Sequence, residues 1–315
     1  MRPPATYAAL AVAAMLQAAT ASCAYKDIEC PAGPAGIEIL FEWDRAPRAE
    51  VEGMTLLFYP TDGQGRIWRF EIAGRDGGRI EIPPGTYRMV SCNNDLPGVS
   101  VTGTAGASTV RAEAARHLGV GVYGSTGMVY RACVGSIGVS ECGVRYTTAE
   151  GTVKDCGRGL VRCRPDSAAT VYTVDINRVT GIGRVRSASL RLATVRQAVL
   201  LESGLPAGAD ISLYMPLDTD PGHARMTGSA CAFGTPEGHT AYTLTLTIDK
   251  TDGTAVSRTI EIGPGEMNIL SPHNVLITIS GLTVPDGGSQ PGDVGGIEAA
   301  VDGWETVEIA PSPAM

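Results

Sequence analysis

What this 315-residue chain lacks narrows its function before any motif is read. It contains no G-x-S-x-G, H-E-x-x-H or phosphate-loop sequence, so the usual arrangements for nucleophilic, zinc and phosphoryl chemistry are missing. Its four histidines, His117, His223, His239 and His273, are scattered near Gly or Pro in expected loops, where a surface position is the ordinary outcome. No basic stripe is present, and the net charge of −8 argues against a nucleic-acid partner. Charged residues make up 18% of the chain, too few for a disordered polyelectrolyte. Aromatic residues are only 5%, which leaves little for the exposed platforms on which sugar rings stack. Long amphipathic helices are absent as well, and Val110 to Arg116 is the one short helical candidate.

The longest apolar run, Ala5 to Ala21, is interrupted by Gln17 and is shorter than the roughly 18 residues of a spanning helix. With Arg2 ahead of it and the small residues Ala19, Ala21 and Ser22 behind it, the run reads as a signal peptide cut before Cys23. Thr20-Ala21-Ser22-Cys23 resembles a bacterial lipobox, with Thr20 in place of the usual Leu, and the resemblance implies acylation of Cys23. At about 0.8 kcal/mol per buried methylene, two or three acyl chains hold a protein on a membrane without a spanning helix. An ordinary secreted protein cut near Ala21 is the alternative. Lys26, Asp27 and Glu29 then form a segment that looks like the surface-export signal of Bacteroidetes lipoproteins, although a solvated tether has the same composition.

With 40 Gly and 20 Pro in the full sequence, the chain beyond the leader reads as short strands joined by tight turns. Ile37, Ile39, Phe41 and Trp43 alternate with polar positions, as in a strand with one buried face. Met54 to Tyr59, Ile67 to Ile72, Arg79 to Ile82 and Thr86 to Val90 come next, separated by Asp62-Gly63, Asp76-Gly77-Gly78 and Pro83-Pro84-Gly85. Each is expected to pair antiparallel with its predecessor, in a meander or Greek key. Trp43 is expected in the core.

Phe41-Glu42-Trp43-Asp44, Glu52-Gly53-Met54, Phe58-Tyr59-Pro60, Gly74-Arg75-Asp76-Gly77-Gly78, Pro84-Gly85-Thr86-Tyr87 and Asn93-Asn94-Asp95 come in an order that resembles a Bacteroidetes surface lipoprotein family of unassigned function. That family is similar to the fimbrillin-type subunits and anchors of Bacteroidales pili. Val301-Asp302-Gly303-Trp304-Glu305-Thr306-Val307-Glu308-Ile309 looks like its last strand. The resemblance implies two tandem transthyretin-like β-sandwiches, a role at the cell surface and no catalytic residues.

Between Val99 and Pro165 the likeness weakens. Gly119 to Gly124 spells G-x-G-x-x-G, but Ser125 to Tyr130 behind it is strand-like, whereas a dinucleotide site needs a helix there. Cys133, Cys142, Cys156 and Cys163 are separated by eight, thirteen and six residues, too far apart for zinc knuckles. Outside the cytoplasm they are candidate disulfide cysteines, with three connectivities open. With Cys23 acylated, an odd number of cysteines remains, so one is unpaired or bridges chains. Cys92 and Cys231 sit beside strand-like stretches as small buried residues.

A second domain opens near Ser167, and its clearest feature is a hairpin of Thr243–Ile248 and Val256–Ile262 around Asp252-Gly253. Asp218-Thr219-Asp220-Pro221-Gly222 begins like a calcium loop without the later ligands and reads as a solvated turn. The expected chain is therefore all-β: a signal peptide (1–22), a lipidated tether (23–36), a sandwich with a Cys-containing insertion (37–166) and a second sandwich (167–315). Expected, too, is a non-enzymatic, cofactor-free lipoprotein, surface-exposed on the outer membrane. It would act as a fimbrillin-like structural, anchor or adhesion component that takes pilus subunits by strand addition. The alternative is a carbohydrate-binding lipoprotein of a polysaccharide-uptake system, which an exposed cluster of Tyr123, Tyr130, Tyr146 and Tyr172 would favour.

Overall fold

The computed structural model describes residues 35–63, 65–140, 143–148, 151–155, 159–235, 242–263, 267–271 and 273–286. Apart from two short 3-10 turns, the regular structure among these residues is β-strand. The chain opens with β1 (Ala35–Phe41), β2 (Gly53–Pro60), β3 (Trp68–Ala73), β4 (Gly77–Ile82) and β5 (Gly85–Asn93). These five do not form the sequential meander that their spacing implied. Only β2 and β3 are both successive and paired; β1 pairs with β4, and β2 with β5. The turn at 74–76 carries the chain out of one sheet and into the sheet opposite. Apolar faces two residues apart are satisfied as well by stacking face to face as by lying edge to edge, and period two cannot tell the arrangements apart.

Next come β6 (Val99–Thr102), β7 (Arg111–Ala114), β8 (His117–Gly119) and β9 (Val122–Tyr123). The short helix expected over 110–116 is instead the strand β7, with Ala112 and Ala114 buried and Arg111 exposed. Ala, Arg and Glu are good helix formers, yet pairing with neighbouring strands outweighs that small local preference. The chain continues through β10 (Tyr130–Ser140), β11 (Gly143–Thr148), β12 (Gly151–Asp155), β13 (Leu160–Cys163) and β14 (Asp166–Ser167). One sheet has the order β13-β1-β4, and the facing sheet β12-β11-β10-β5-β2-β3. Between them lies the first core: Ile37, Ile39, Phe41, Ile82 and Val161 on one side, Met54, Leu56, Phe58, Met89 and Val134 on the other.

The remaining strands are β15 (Thr170–Asn177), β16 (Val185–Leu200), β17 (Pro206–Asp220), β18 (Arg225–Ala232), β19 (Tyr242–Lys250), β20 (Ala255–Ile262), β21 (Met267–Ser271) and β22 (Asn274–Ser280). The expected hairpin is present as β19 and β20, with Leu246 opposite Arg258. Strand order is β20-β19-β16-β17-β18-β15-β22-β21, in which β17 pairs with β16 along most of its length and with β18 at its end. A strand shared in this way closes one side of a second sandwich. Leu190, Leu192, Leu244 and Leu246 face Tyr172, Val174, Ile176 and Ile277 across its core. The strands from 99 to 123, expected within the first sandwich, pair here: β7 lies on β16 and β9 on β17.

The two cores meet on β2 and β5. Residues 53–59 are all buried, with Met54, Leu56 and Phe58 in the first core and Leu57 and Tyr59 in the second. Val90 and Cys92 of β5 join Leu57 and Tyr59, so the middle of this sheet has no wet face. Arg131 of β10 pins the seam from the side. Its guanidinium donates to the carbonyls of Leu201 at 3.2 Å, Glu202 at 2.9 Å and Ser203 at 3.0 Å, while Arg88 bonds the Glu202 carboxylate at 2.6 Å. Gly204 makes this approach possible: its φ is +76°, and a Cβ there would lie 2.3 Å from Arg131 Nη2.

Trp43 is buried at 8% exposure, stacks edge-on against Tyr130 with ring centroids 5.7 Å apart, and donates from Nε1 to the Arg75 carbonyl at 2.8 Å. Trp43→Ala is expected to cost about 3 to 5 kcal/mol, the usual loss for a buried aromatic, read as a lower urea midpoint. An unchanged midpoint would mean the ring carries none of the core.

Tyr59 is buried at the seam with a hydroxyl that has no partner among the described residues. Burial pushes its phenol up to about 12, with Cys92 and Glu202 adding to the effect. The folded chain therefore holds the neutral form, and this contribution is complete below pH 10 and is lost as pH rises from about 10 to 12. Tyr59→Phe should leave neutral-pH stability equal or slightly higher and make the alkaline loss shallower. Urea midpoints between pH 8 and pH 12 check both halves; a parallel loss in wild type and variant would refute the assignment.

Candidate functional site

The most distinctive exposed apolar feature among the described residues is the hairpin of β8 and β9. It docks as a parallel neighbour of β17, with Val122 beside Ser212 and Tyr123 beside Leu213, and the Ser212 amide donates to the Gly121 carbonyl at 2.8 Å. Tyr123 anchors its base: buried, it stacks on His117 with centroids 4.2 Å apart and accepts from Gln197 Nε2 at 3.2 Å. The tip is the reverse. Val120 is fully exposed and Leu118 is 48% exposed.

Beneath the tip runs an open groove of about 480 Å³ lined by Leu118, Gly119, Val120, Val122, Arg191 and Tyr214. Arg191 projects from β16 and makes no ion pair among the described residues, while Tyr214 stands opposite it on β17. Apolar lips, one guanidinium and one phenol suit recognition of an apolar segment bearing a negative charge or a hydrogen-bond acceptor. The groove holds no nucleophile beside a base, and among the described residues no three His, Cys, Asp or Glu side chains gather as a metal site.

The residues singled out from sequence are distributed otherwise. Cys23, Lys26, Asp27 and Glu29 lie outside the described residues, as do Cys142, Cys156, His239 and the segment from Val301 to Ile309. Cys133 and Cys163 are free thiols in this structure; Cys133 lies on the face of β10 turned away from the first core, and Cys163 on the inward face of β13. Cys92 is a buried thiol, pushed up to about 11 by desolvation. Gly119 to Gly124 forms the β8–β9 hairpin, a turn between strands with no helix behind it. Asp220 caps a 3-10 turn and pairs with His223 at 2.7 Å, both exposed, as a solvated turn would. Tyr123, Tyr146 and Tyr172 are buried and Tyr130 is half-buried, so the four form no exposed aromatic platform.

Leu118, Val120, Arg191 and Tyr214 were not legible as a site. Leu118 and Val120 stand singly between Gly residues or next to His, and only tertiary pairing brings them over β16 and β17. No helix among the described residues is long and apolar enough to cross a membrane.

A family model described as a domain of unknown function, DUF5119, matches residues 22–215. The chain belongs to the DUF5119 family. A curated Bacteroides ovatus protein, provisionally named fimbrium anchoring subunit Fim4B, is 30% identical to this DUF5119 chain over 108 residues, which are 34% of the chain and 32% of the relative. The match thus spans about a third of that relative's length. Among solved structures, a protein of Bacteroides ovatus provisionally named an adhesin superposes with a TM-score of 0.62 over 85% of the DUF5119 chain and 99% of its own, at 19% identity. The fimbrial anchor protein Mfa2 of Porphyromonas gingivalis superposes at 0.52 over 78% and 90%, at 15% identity. A Bacteroides thetaiotaomicron protein provisionally named for polysaccharide binding reaches 0.50 over 80% and 92%, at 12% identity. At these identities the structural matches establish a shared all-β sandwich fold.

Proposed function

We propose that this DUF5119 chain is a surface-anchored lipoprotein serving as a fimbrillin-like structural, anchor or adhesion component of the cell envelope. The observation that carries the reading is a fold match reaching almost the whole length of an adhesin-named structure, joined to sequence similarity with a protein named as a fimbrium anchoring subunit. Physical features support it. Two sandwiches fused through a shared dry sheet make a stiff body that transmits force without a hinge. Bare sheet edges and an exposed apolar hairpin offer docking for a partner, and pilus subunits arriving by strand addition fit the edges. Acyl chains on Cys23 would hold the body at the outer membrane, with Lys26, Asp27 and Glu29 directing it to the outer face. The polysaccharide-binding alternative loses the feature that would favour it, because the four tyrosines are turned into the cores or packed beside them.

Cys23→Ala is expected to yield a chain that leaves the detergent phase in a phase-partition assay, since no acyl chain remains to hold it. Partition identical to wild type would remove the lipid-anchor reading. Replacing Lys26, Asp27 and Glu29 with alanine should leave the chain membrane-bound but shield it from protease added to intact cells. Continued cleavage at the wild-type rate would separate these residues from export while leaving the anchor untouched.

A further inference from the structure

The chain carries a net charge of −8, yet two long stretches hold no acid at all. Residues 114–140 include the β8–β9 hairpin, and residues 176–201 include the whole of β16. The pairing of β9 with β17, and of β17 with β16, brings these stretches to one side of the second sandwich. Arg116 and Arg191, one from each, make no ion pair among the described residues. An acidic chain thus keeps a positive face here, which favours an anionic partner.

Across that face, perpendicular to the strands, run Tyr214 of β17, Arg191 of β16, Thr245 of β19 and Thr259 of β20, each directly opposite the next. Opposed residues point to the same side of a sheet, and here it is the side away from the core leucines Leu190, Leu192, Leu244 and Leu246. At the usual strand spacing the row is about 14 Å long. None of its polar heads has a hydrogen-bond partner among the described residues. The neighbouring polar groups differ. Thr243 donates to the Glu261 carboxylate at 3.0 Å, Thr247 and Ser257 share a hydrogen bond of 3.4 Å, and Ser187 donates to Asp249 at 2.7 Å. The acids of β19 and β20 are thus engaged, and the row remains a line of free hydroxyls around one positive charge. Leu118 and Val120 of the hairpin wall its β17 end.

Chemistry narrows the ligand. β16 and β19 are interior strands with neighbours on both sides, so a peptide lying over the row finds no backbone ladder to join. A hydroxyl donates once and accepts twice, which matches a polyol, and a guanidinium forks onto a carboxylate. A phenol ring beside apolar lips covers the apolar face of a sugar.

We propose that the row Tyr214, Arg191, Thr245 and Thr259 binds a carboxylated polysaccharide laid across the strands. A sugar carboxylate sits on Arg191, ring hydroxyls meet Thr245 and Thr259, and a sugar face packs on Tyr214 beneath the lip of Leu118 and Val120. This ligand class deepens the adhesion reading, on which its role at the cell surface rests, but the binding itself requires neither a lipid anchor nor a pilus subunit. Failure to bind would leave the anchor and export assignments standing, since phase partition and protease access read those.

Affinity electrophoresis of the full chain tests it, through gels holding polygalacturonate, its neutral methyl ester or polyglutamate. Polygalacturonate should retard the chain, whereas the ester and polyglutamate should not. Arg191→Gln should weaken the retardation about tenfold, as loss of a charge-assisted hydrogen bond does. Thr245→Val should weaken it about threefold. Arg186→Gln removes an equal charge from an exposed position elsewhere on β16 and should leave retardation unchanged. No retardation by polygalacturonate would overturn the proposal, as would a Thr245→Val chain that binds like wild type. Equal retardation by polyglutamate would make the face a site for acidic peptides and overturn it. Equal losses from Arg191→Gln and Arg186→Gln, or equal retardation by the ester, would do the same, because neither is the mark of a carboxylate held on Arg191.

Discussion

Everything else in the molecule hangs on the burial of both faces of β2 and β5. A strand in a two-layer sandwich has one dry face, and its sequence alternates; β2 reads Met-Thr-Leu-Leu-Phe-Tyr, with no position left for water. Each of its large apolar side chains has a destination, Met54, Leu56 and Phe58 in one core and Leu57 and Tyr59 in the other. Full burial of a large apolar side chain is worth about 1.5 to 3 kcal/mol. The second layer of contacts on this strand is therefore what welds the halves together. Separating them would expose Leu57, Tyr59, Val90 and Cys92 at once.

Polar groups fix the register of that weld. Apolar surfaces slide, but a guanidinium donating to three successive carbonyls does not, since those oxygens have no equivalent partners if the 201–203 turn shifts. The Arg88–Glu202 pair restrains the same turn from its side chain, and Gly204 leaves room for the Arg131 head. Cys133 lies close enough to Glu202 and Arg131 to feel both charges, which places it at the rim of this seam, while Cys163 is enclosed in the first core.

Among the described residues, the titratable groups shifted most strongly are tyrosines and cysteines raised by burial in the cores and at the seam. The groove beneath Leu118 and Val120 is lined by none of these shifted groups.

The sequence by itself determined the all-β class, the period-two face of β1, the β19–β20 hairpin and the burial of Trp43, because each arises from local alternation or from a turn whose residues are adjacent. Its family likeness, too, was carried by short contiguous motifs. Tertiary structure alone decided the rest. That β1 pairs with β4 rather than β2, that 99–123 lies on the second sandwich, and that 110–116 is strand rather than helix all depend on partners distant in the chain, and alternation carries no address for a partner. The hairpin groove was hidden for the same reason: Leu118 and Arg191 are far apart in sequence and meet only through the pairing of β9 with β17. The continuous burial of β2 did leave a trace, a run of apolar residues without alternation, but such a run says only that both faces are dry and not which two cores make them so.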